Sequence, residues 1–507
     1  MADAHLASVT NLSRPLPTSV DVLVVGAGIS GIGLGHYLKT ERPGHSFAIV
    51  DAADSLGGTW RTFRYPGIRS DSDMHTFGFA FKPWRSDNSL ADSHEIIRYL
   101  DSVVAEDGLQ DHLHFGYRVQ SASWSSAEGR WTVRLTDAAG ASHEISAGVF
   151  FSAAGYYDHQ AGFAPEFAGS EDFEGTTIHP QAWPEDFDYT GKRVVVIGSG
   201  ATAVTLIPAM ADKTAHITML QRSPSYVIPI PRQDPIAKVM RAVLPADTAH
   251  RVMRRVDVGR NRLVYNMSRK HPKLMRRVIR RLNVMALPKD YDIDTHFNPS
   301  YDPWDQRLCM VPDGDMFKAI KDGKADVVTD HIERFTPTGI QLKSGRHLEA
   351  DVIITATGLN LIAFGGIEFD LDGEHVDIAK TVAYKAMMLS GMPNFAFAIG
   401  YTNISWTLKV DLVCEHFVRL LDLMDAKGAT VVTPELDPSL PVPEVPLFDF
   451  ASGYVQRALH LWPRAGTEGP WEFRMDYKFD GERLRGAVDD PALAFTNPTA
   501  ELQAVAE

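Results

Sequence analysis

The chain has 507 residues, 44% hydrophobic and 22% charged, a globular composition with enough length for about three domains at roughly 100 to 200 residues each. Its 50 Lys and Arg against 64 Asp and Glu leave a formal charge of −14, which argues against a general nucleic-acid binder, because phosphate contacts need a basic surface. Only Cys309 and Cys414 occur, which excludes a disulfide framework, a Cys-rich zinc site and a paired-cysteine redox centre; no metal site is expected.

Residues 1–20 are polar and broken by Pro15 and Pro17, and nothing later runs 18 apolar residues, so a soluble cytoplasmic protein is expected. From Asp21 the run DVLVVGAGISG predicts a strand, a turn at Gly26, Gly28 and Gly31, and a helix through Tyr37 and Leu38. A second strand, 47–50, ends in Asp51, twenty residues after Gly31. SASWSSAEGRWTVRL and HEISAGVFFSAAG predict antiparallel strands and a strand stopped at Gly155. The nucleotide pattern then returns: VVVIGSGATA sets Gly198, Gly200 and Ala203 in the same places, and its second strand, 217–220, ends in Gln221 and Arg222. DVIITATG at 351–358 matches the earlier late strand.

Residues 238–289 differ in kind, with fifteen Lys and Arg against Asp247 and Asp257, a charge of +13 that leaves −27 on the remainder. Apolar residues at helical spacing in KLMRRVIRRLNVM predict helices, whose basic side is open to three readings: a solvated face, a dock onto the acidic domains, or contact with anionic membrane. After Thr430 a Pro-rich stretch to Pro446 reads as loop, and the last dozen residues as loosely held.

A dinucleotide pyrophosphate needs a helix N-terminus free of side chains: the first Gly makes the turn, the second admits the phosphates, the third lets helix pack on strand. Asp51 suits a free ribose 2′-hydroxyl, and Arg222 with Ser223 suits a 2′-phosphate. FAD is therefore expected at the first site and NADPH at the second. The fold class expected is α/β, with two Rossmann-like dinucleotide-binding domains and a helical insertion. Because the late strands rejoin their sheets, the division expected is 1–157 with 362–507 for FAD, 158–230 with 308–361 for NADP, and 231–307 for the basic insertion.

Two longer motifs are more specific: GGTWRTFRYPGIRSD at 57–71, and FEGTTIHPQAWP at 173–184 through Phe173, Gly175, His179 and Trp183. Together they resemble the type I Baeyer-Villiger monooxygenases. RYPGIRSDSD, HPQAWPEDFDY, VIGSGATAVTLIPA, YDPWDQRLCMVPDGD and ADVIITATGLNL are similar to the ethionamide-activating subgroup. Trp183, where amine-oxidising relatives carry Tyr or Phe, favours ketones. The resemblance implies that NADPH reduces FAD, that O2 adds to give a C4a-peroxyflavin, and that this attacks a ketone, or a sulfide or thioamide sulfur. It implies Arg307 as the permanent cation beside the flavin and Asp71 as the acid orienting it. Flavin contacts are implied for Ser30, Thr59, Trp60 and the backbone of Val119; NADP contacts for Arg69, Ser199, Thr202, Gln221, Arg222 and Ser223. Phe173, Gly175, His179 and Trp183 are implied to couple the domains, so His179 is not expected to be a base. Asn403, Trp406 and Leu408 are expected in the substrate pocket, Trp471 on a loop closing over NADP, and Cys309 as a packed thiol. Gln306 stands where many relatives have Lys, so 2′-phosphate binding should rest mainly on Arg222. Two other readings stay open, a monooxygenase devoted to sulfur or nitrogen and a flavin-bearing NADPH sensor; oligomeric state is open too.

Overall fold

The computed structural model describes residues 14–306, 308–437, 439, 442–443, 445–447 and 452–498. Two sheets, one mixed around a parallel centre and one all parallel, organise them. In the first, Ser19–Val25 lies between Phe47–Asp51 and Ser142–Ser152, parallel to both, and Phe395–Phe397 extends from Ser142–Ser152. Tyr117–Ser125 and Arg130–Asp137 join that last strand as an antiparallel meander. In the second sheet Arg193–Ile197 lies between His216–Gln221 and Val352–Thr355, with Ala325–Thr329 and Thr176–Ile178 at the edges, all parallel. Residues 22–25 and 194–197 of the central strands read as unbroken apolar runs because packed elements cover both faces: Leu23, Val24 and Val196 are fully buried.

The connection between the sheets has a simple geometry. The chain leaves the first through Tyr157–Gly162 and returns through Leu359–Leu361, and these two strands pair antiparallel. Within the second unit, Val227–Ile230 and Cys309–Pro312 pair in parallel, so the helical excursion between them leaves at one end of this short pair and returns at the other. Its helices are Pro235–Val243, Ala246–Lys270 and Pro272–Ala286. The first begins where it does because Asp234 accepts the N–H groups of Ile236 (2.8 Å) and Ala237 (3.3 Å), with Pro235 in the first turn. Ala246–Lys270 docks on the first unit: Arg254 donates to the carbonyl of Gly78 (2.6 Å) and pairs with Asp411 (2.5 Å).

The tail corrects one expectation. Val431–Pro434 is a strand rather than loop, paired antiparallel with Leu493–Thr496. Its partner lies 62 residues on, beyond the reach of local pattern. Of the last dozen residues, 499–507 lie outside the described residues. Among the described residues no helix is long and apolar enough to cross a membrane.

One core contact sets a pH response. His416, fully buried on the helix Thr407–Lys427, hydrogen-bonds through Nδ1 to the carbonyl of Leu484 (2.7 Å), and burial pushes its pKa down to about 4. The unfolded chain takes up this proton below pH ~6.5 but the fold only below about 4, so stability falls as pH drops through that window, by about 3 kcal/mol at its end. His416→Gln should flatten this part of the acid slope in urea unfolding at pH 7.5, 6 and 5. An unchanged slope would place the acid sensitivity elsewhere.

Candidate active site

A continuous cleft of about 1240 Å³ joins the two glycine turns, lined by Gly26, Gly28 and Asp51 at one end and Gly198, Gly200 and Arg222 at the other. That exceeds an ordinary small-molecule pocket of about 300 to 1,000 Å³. At the first turn Gly26 has φ +112°, and a Cβ there would stand 2.5 Å from the carbonyl oxygen of Ala153. A Cβ on Gly31 would stand 1.8 Å from the carbonyl oxygen of Gly26, so Gly31 is a packing residue and lies behind the cleft wall. Gly28 caps the helix Ile29–Glu41 without a side-chain hydrogen bond. Gly200 does the same for Ala201–Met210, and a Cβ there would meet nothing within 4 Å. Two helix N-termini thus open onto one cleft with their first amides unclaimed by side chains, the environment a pyrophosphate requires.

The residues after the second strands differ in charge. Asp51 accepts the amides of Ala27 (2.6 Å) and Ala53 (2.8 Å); burial raises its pKa, against the pull of those two hydrogen bonds. Arg222 is exposed on the cleft wall with Ser223 beside it. Ser199 Oγ lies 2.8 Å from Ser225 Oγ and donates to the Ser223 carbonyl (3.4 Å), which fixes the turn below Arg222.

Most of the other expected contacts converge on the same walls. Thr59, Trp60, Asp71, Val119 and Thr202 line the cleft. Ser30 accepts a hydrogen bond from Trp406 Nε1 (2.9 Å), and Trp406 stacks on Tyr156 with centroids 5.0 Å apart. Arg69 also lines it, its guanidinium held by Asp315 of the other unit (2.5 Å). The YPG turn owes its glycine to a close approach between units: Gly67 has φ +76°, and a Cβ would stand 2.6 Å from Cβ of Ala209 and 3.1 Å from the Thr205 carbonyl oxygen.

Four expectations need correction. The Gln221 side chain is buried away from the cleft, donating to the His296 carbonyl and to Thr329 Oγ1, both at 2.8 Å. Leu408 is fully buried in the first turn of Thr407–Lys427, and Asn403 donates to the Met475 carbonyl (2.9 Å); neither lines the cleft. Trp471 is packed against Tyr384 at 5.7 Å rather than poised over the nucleotide end. Arg307 lies outside the described residues. Cys309 is buried, its thiol 3.8 Å from the Ser199 carbonyl.

His179 lines no part of the cleft. Its Nδ1 accepts the amide of Gln181 (3.2 Å), so Nε2 carries the proton and donates to the carbonyl of Gly358 (3.2 Å). The ring lies on Gly162, where a Cβ would come within 1.9 Å of it. His179 therefore touches both connecting strands at their second-unit ends. Gly175 is required because a Cβ would meet the Asp351 carbonyl oxygen at 2.5 Å. Phe173 packs on Phe335, and Trp183 on Phe187.

Sequence reasoning missed several lining residues: Tyr65, His159, Lys343, Tyr401 and Arg457. Tyr65 hydrogen-bonds Thr202 across the units, and burial pushes its phenol up to about 12. Arg457 comes from the tail and stacks on Phe163 at 3.5 Å. No local signal marks either contact, which join residues far apart in the chain.

Comparison with known proteins agrees with this geometry. A model of the NAD(P)-binding Rossmann-like domain matches residues 24–88. The chain is 50% identical over 483 residues to the FAD-containing monooxygenase EthA of Mycobacterium tuberculosis (strain ATCC 25618 / H37Rv), covering 95% of this chain and 98% of that protein. It is 47% identical over 482 residues to the probable FAD-binding monooxygenase AlmA of Acinetobacter baylyi, covering 95% and 97%. Among solved structures, an oxidised steroid monooxygenase bound to NADP matches with a TM-score of 0.76 at 22% identity, over 95% of this chain and 100% of that one. An open cyclohexanone monooxygenase matches with 0.68 at 23%, over 83% and 90%. At those identities the structures speak for the fold, whereas the full-length sequence matches speak for descent, and the chain belongs to the family of EthA-type FAD-containing monooxygenases.

Proposed function

We propose that the chain is an FAD- and NADPH-dependent Baeyer-Villiger monooxygenase that inserts one oxygen atom of O2 into apolar ketones, giving esters or lactones, and that also oxidises sulfide or thioamide sulfur. The observation that carries this reading is one cleft holding two bare helix N-termini, one followed by an acid and the other by a cation, with Asp71 also on its wall. FAD held at the first turn would supply the oxygen-activating chemistry, and NADPH held at the second the reducing equivalents. Gly28 and Gly200 would admit the pyrophosphates, Asp51 would hold the flavin-side ribose and Arg222 the 2′-phosphate. Trp60, Phe77, Ile404 and Trp406 give the cleft an apolar stretch of wall, which suits an apolar substrate. Arg307, on the resemblance, stays charged at neutral pH and stabilises the negative charge that grows on the carbonyl oxygen, with Asp71 orienting it.

The reading divides the chain into an FAD part, 1–157 with 362–507, an NADP part, 158–230 with 308–361, and the helical insertion 231–307. His179, with both ring nitrogens engaged, serves as a joint between the parts rather than a proton carrier. The test is a panel of ketones and sulfides under labelled O2 with NADPH. Esters carrying one labelled oxygen, at one NADPH each, are expected, and Arg307→Ala should slow ester formation at least about a hundredfold while flavin reduction continues. Products confined to sulfoxides or N-oxides would replace the ketone reading, and a variant forming ester at the wild-type rate would remove Arg307 from the mechanism.

The reading extends to peripheral contact with anionic membrane. Ten of the thirteen exposed large apolar side chains among the described residues fall between Ile236 and Met285, nine of them within 238–289, the segment of charge +13. On Pro272–Ala286 the outward residues Leu274, Val278 and Met285 alternate with Arg277 and Arg281, opposite buried Ile279 and Asn283. Long basic side chains flanking an apolar stripe match a helix lying in a headgroup layer. Flotation with anionic vesicles should recover the protein at low salt and less at high salt, and Leu274→Ser with Met285→Ser should reduce recovery several-fold. Equal recovery with neutral vesicles, or none, ends this part of the reading.

A further inference from the structure

The nucleotide end of the cleft holds a second cation that the glycine fingerprint does not reveal. A 2′-phosphate carries close to two negative charges at neutral pH, and one guanidinium neutralises only part of that. Arg222 follows the strand His216–Gln221, and the neighbouring parallel strand Ala325–Thr329 ends at the same level, with Gln221 opposite Thr329. The chain after that strand stays beside Arg222: the amide of Asp330 donates to the Gln221 carbonyl (3.0 Å). One step further, the amide of Lys343 donates to the carbonyl of His331 (2.9 Å). Arg222, His331 and Lys343 all line the cleft, and among the described residues neither Arg222 nor Lys343 is held in an ion pair.

We propose that Lys343 is the second cation that selects the 2′-phosphate of NADPH, acting beside Arg222 at the C-terminal edge of these two strands. The inference rests on the reading that NADPH binds at the second glycine turn, and it deepens that reading by naming a specificity residue. The turn that presents Lys343 is built for the purpose. Gly345, at φ +89°, closes the hairpin between Gly339–Leu342 and His347–Glu349. Asp330 is the acid nearest this turn in the hydrogen-bond chain; it accepts the amides of His331 (2.7 Å) and Ser344 (3.4 Å), and its hydrogen bonds with Ser344 and His331 hold its pKa down. Asp330 keeps its charge but is engaged by these two amides and forms no ion pair with Lys343 among the described residues, which leaves the Lys343 ammonium to a ligand. Of the other guanidinium groups lining the cleft, Arg69 is held by Asp315 and Arg457 stacks on Phe163.

Binding of 2′,5′-ADP and of 5′-ADP to the flavin-loaded protein, measured by calorimetry, separates the phosphate contact from catalysis. Lys343→Ala should weaken 2′,5′-ADP about tenfold and leave 5′-ADP unchanged, Lys343→Arg should restore most of the loss, and the salt dependence of 2′,5′-ADP binding should become shallower in the alanine variant. The exposed position of Lys343 on a turn makes an intact thermal midpoint the expected control. If Lys343→Ala binds 2′,5′-ADP like the wild type while Arg222→Ala does not, Lys343 has no such role and the NADPH reading stands. If both nucleotides weaken equally, the substitution acts on the turn and the phosphate contact is refuted. Should the wild type itself fail to distinguish the two nucleotides, the NADPH reading falls and this inference with it.

Discussion

Gly31→Ala is expected to yield protein without flavin and with stability lowered by more than about 3 kcal/mol, because the new methyl has nowhere to go. The Cβ would lie 1.8 Å from the Gly26 carbonyl oxygen and 3.5 Å from Cβ of Ala153. Both neighbours belong to the turn and to the chain that immediately follows the strand Ser142–Ser152, so relief requires the helix Ile29–Glu41 to move away from the sheet. That movement opens the turn that, on the proposed reading, receives the pyrophosphate. Gly200→Ala is the informative contrast, since its Cβ would meet nothing within 4 Å. It should fold and keep its flavin, with stability changed by no more than about 1 kcal/mol, while the methyl stands where phosphate oxygens must approach and raises the KM for NADPH roughly ten- to a hundredfold. Flavin absorbance per mole of protein, denaturant midpoints and NADPH kinetics separate the two. A Gly31→Ala protein with full flavin and a wild-type midpoint would show that the helix has slack the geometry denies it.

The same contrast explains what could be read from the chain directly. Strand, glycine turn and helix were legible at both sites because each is a local arrangement of about thirty residues whose periodicity and turn chemistry lie next to each other. Asp51 and Arg222 were legible for the same reason. Gln221 was not: the strand His216–Gln221 is buried on both faces from Ile217 onward, so no alternation tells which of two neighbouring end residues turns into the cleft. Asn403 and Leu408 straddle the start of the helix Thr407–Lys427, and a shift of one residue at a helix start turns a side chain by about 100°. Lys343 and Arg457 reach the cleft through hairpin and tail packing, which depends on contacts far apart in the chain.

The longer motifs also acquire a physical reason. YPG is conditioned by Gly67 touching the helix Ala201–Met210, Tyr65 by its bond to Thr202, and Arg69 by Asp315. All three join the first unit to the second. His179 does the same through Gly162 and Gly358. The residues that distinguish this chain from a bare pair of nucleotide folds therefore concentrate where the two units meet, as a reaction needing both nucleotides in one cleft demands.

Asp411→Ala is expected to cost about 3 to 5 kcal/mol, because it strands a buried guanidinium. Arg254 comes from the basic helix Ala246–Lys270 and reaches the first unit, where Nη1 donates to the carbonyls of Gly78 (2.6 Å), Thr76 (3.2 Å) and His75 (3.3 Å), and Nη2 to Asp411 (2.5 Å). Its side chain is 11% exposed and that of Asp411 3%. Asp411 also accepts the amide of Ala80 (3.0 Å), on the loop beyond the first-unit helix Met74–Phe77. Burial nevertheless raises the Asp411 carboxyl to about 6, against the pull of Arg254, so desolvation outweighs the attraction and the pair adds little net stability while fixing where the helix docks. That balance separates three variants. Asp411→Ala should lose most. Asp411→Asn keeps an acceptor without the charge and should lose less. Arg254→Met combined with Asp411→Leu should recover much of the loss by replacing the pair with apolar volume. The sign of the pH effect follows: between about pH 4 and 6 the folded carboxyl holds a proton that the unfolded chain has released, so this group's contribution to stability declines as pH rises through that window. The penalty of Asp411→Asn should accordingly be smaller at pH 7 than at pH 5. Urea unfolding of the flavin-loaded variants at both pH values measures it, and equal losses for Ala, Asn and the double variant would mean that the helix is held by its apolar contacts instead of this pair.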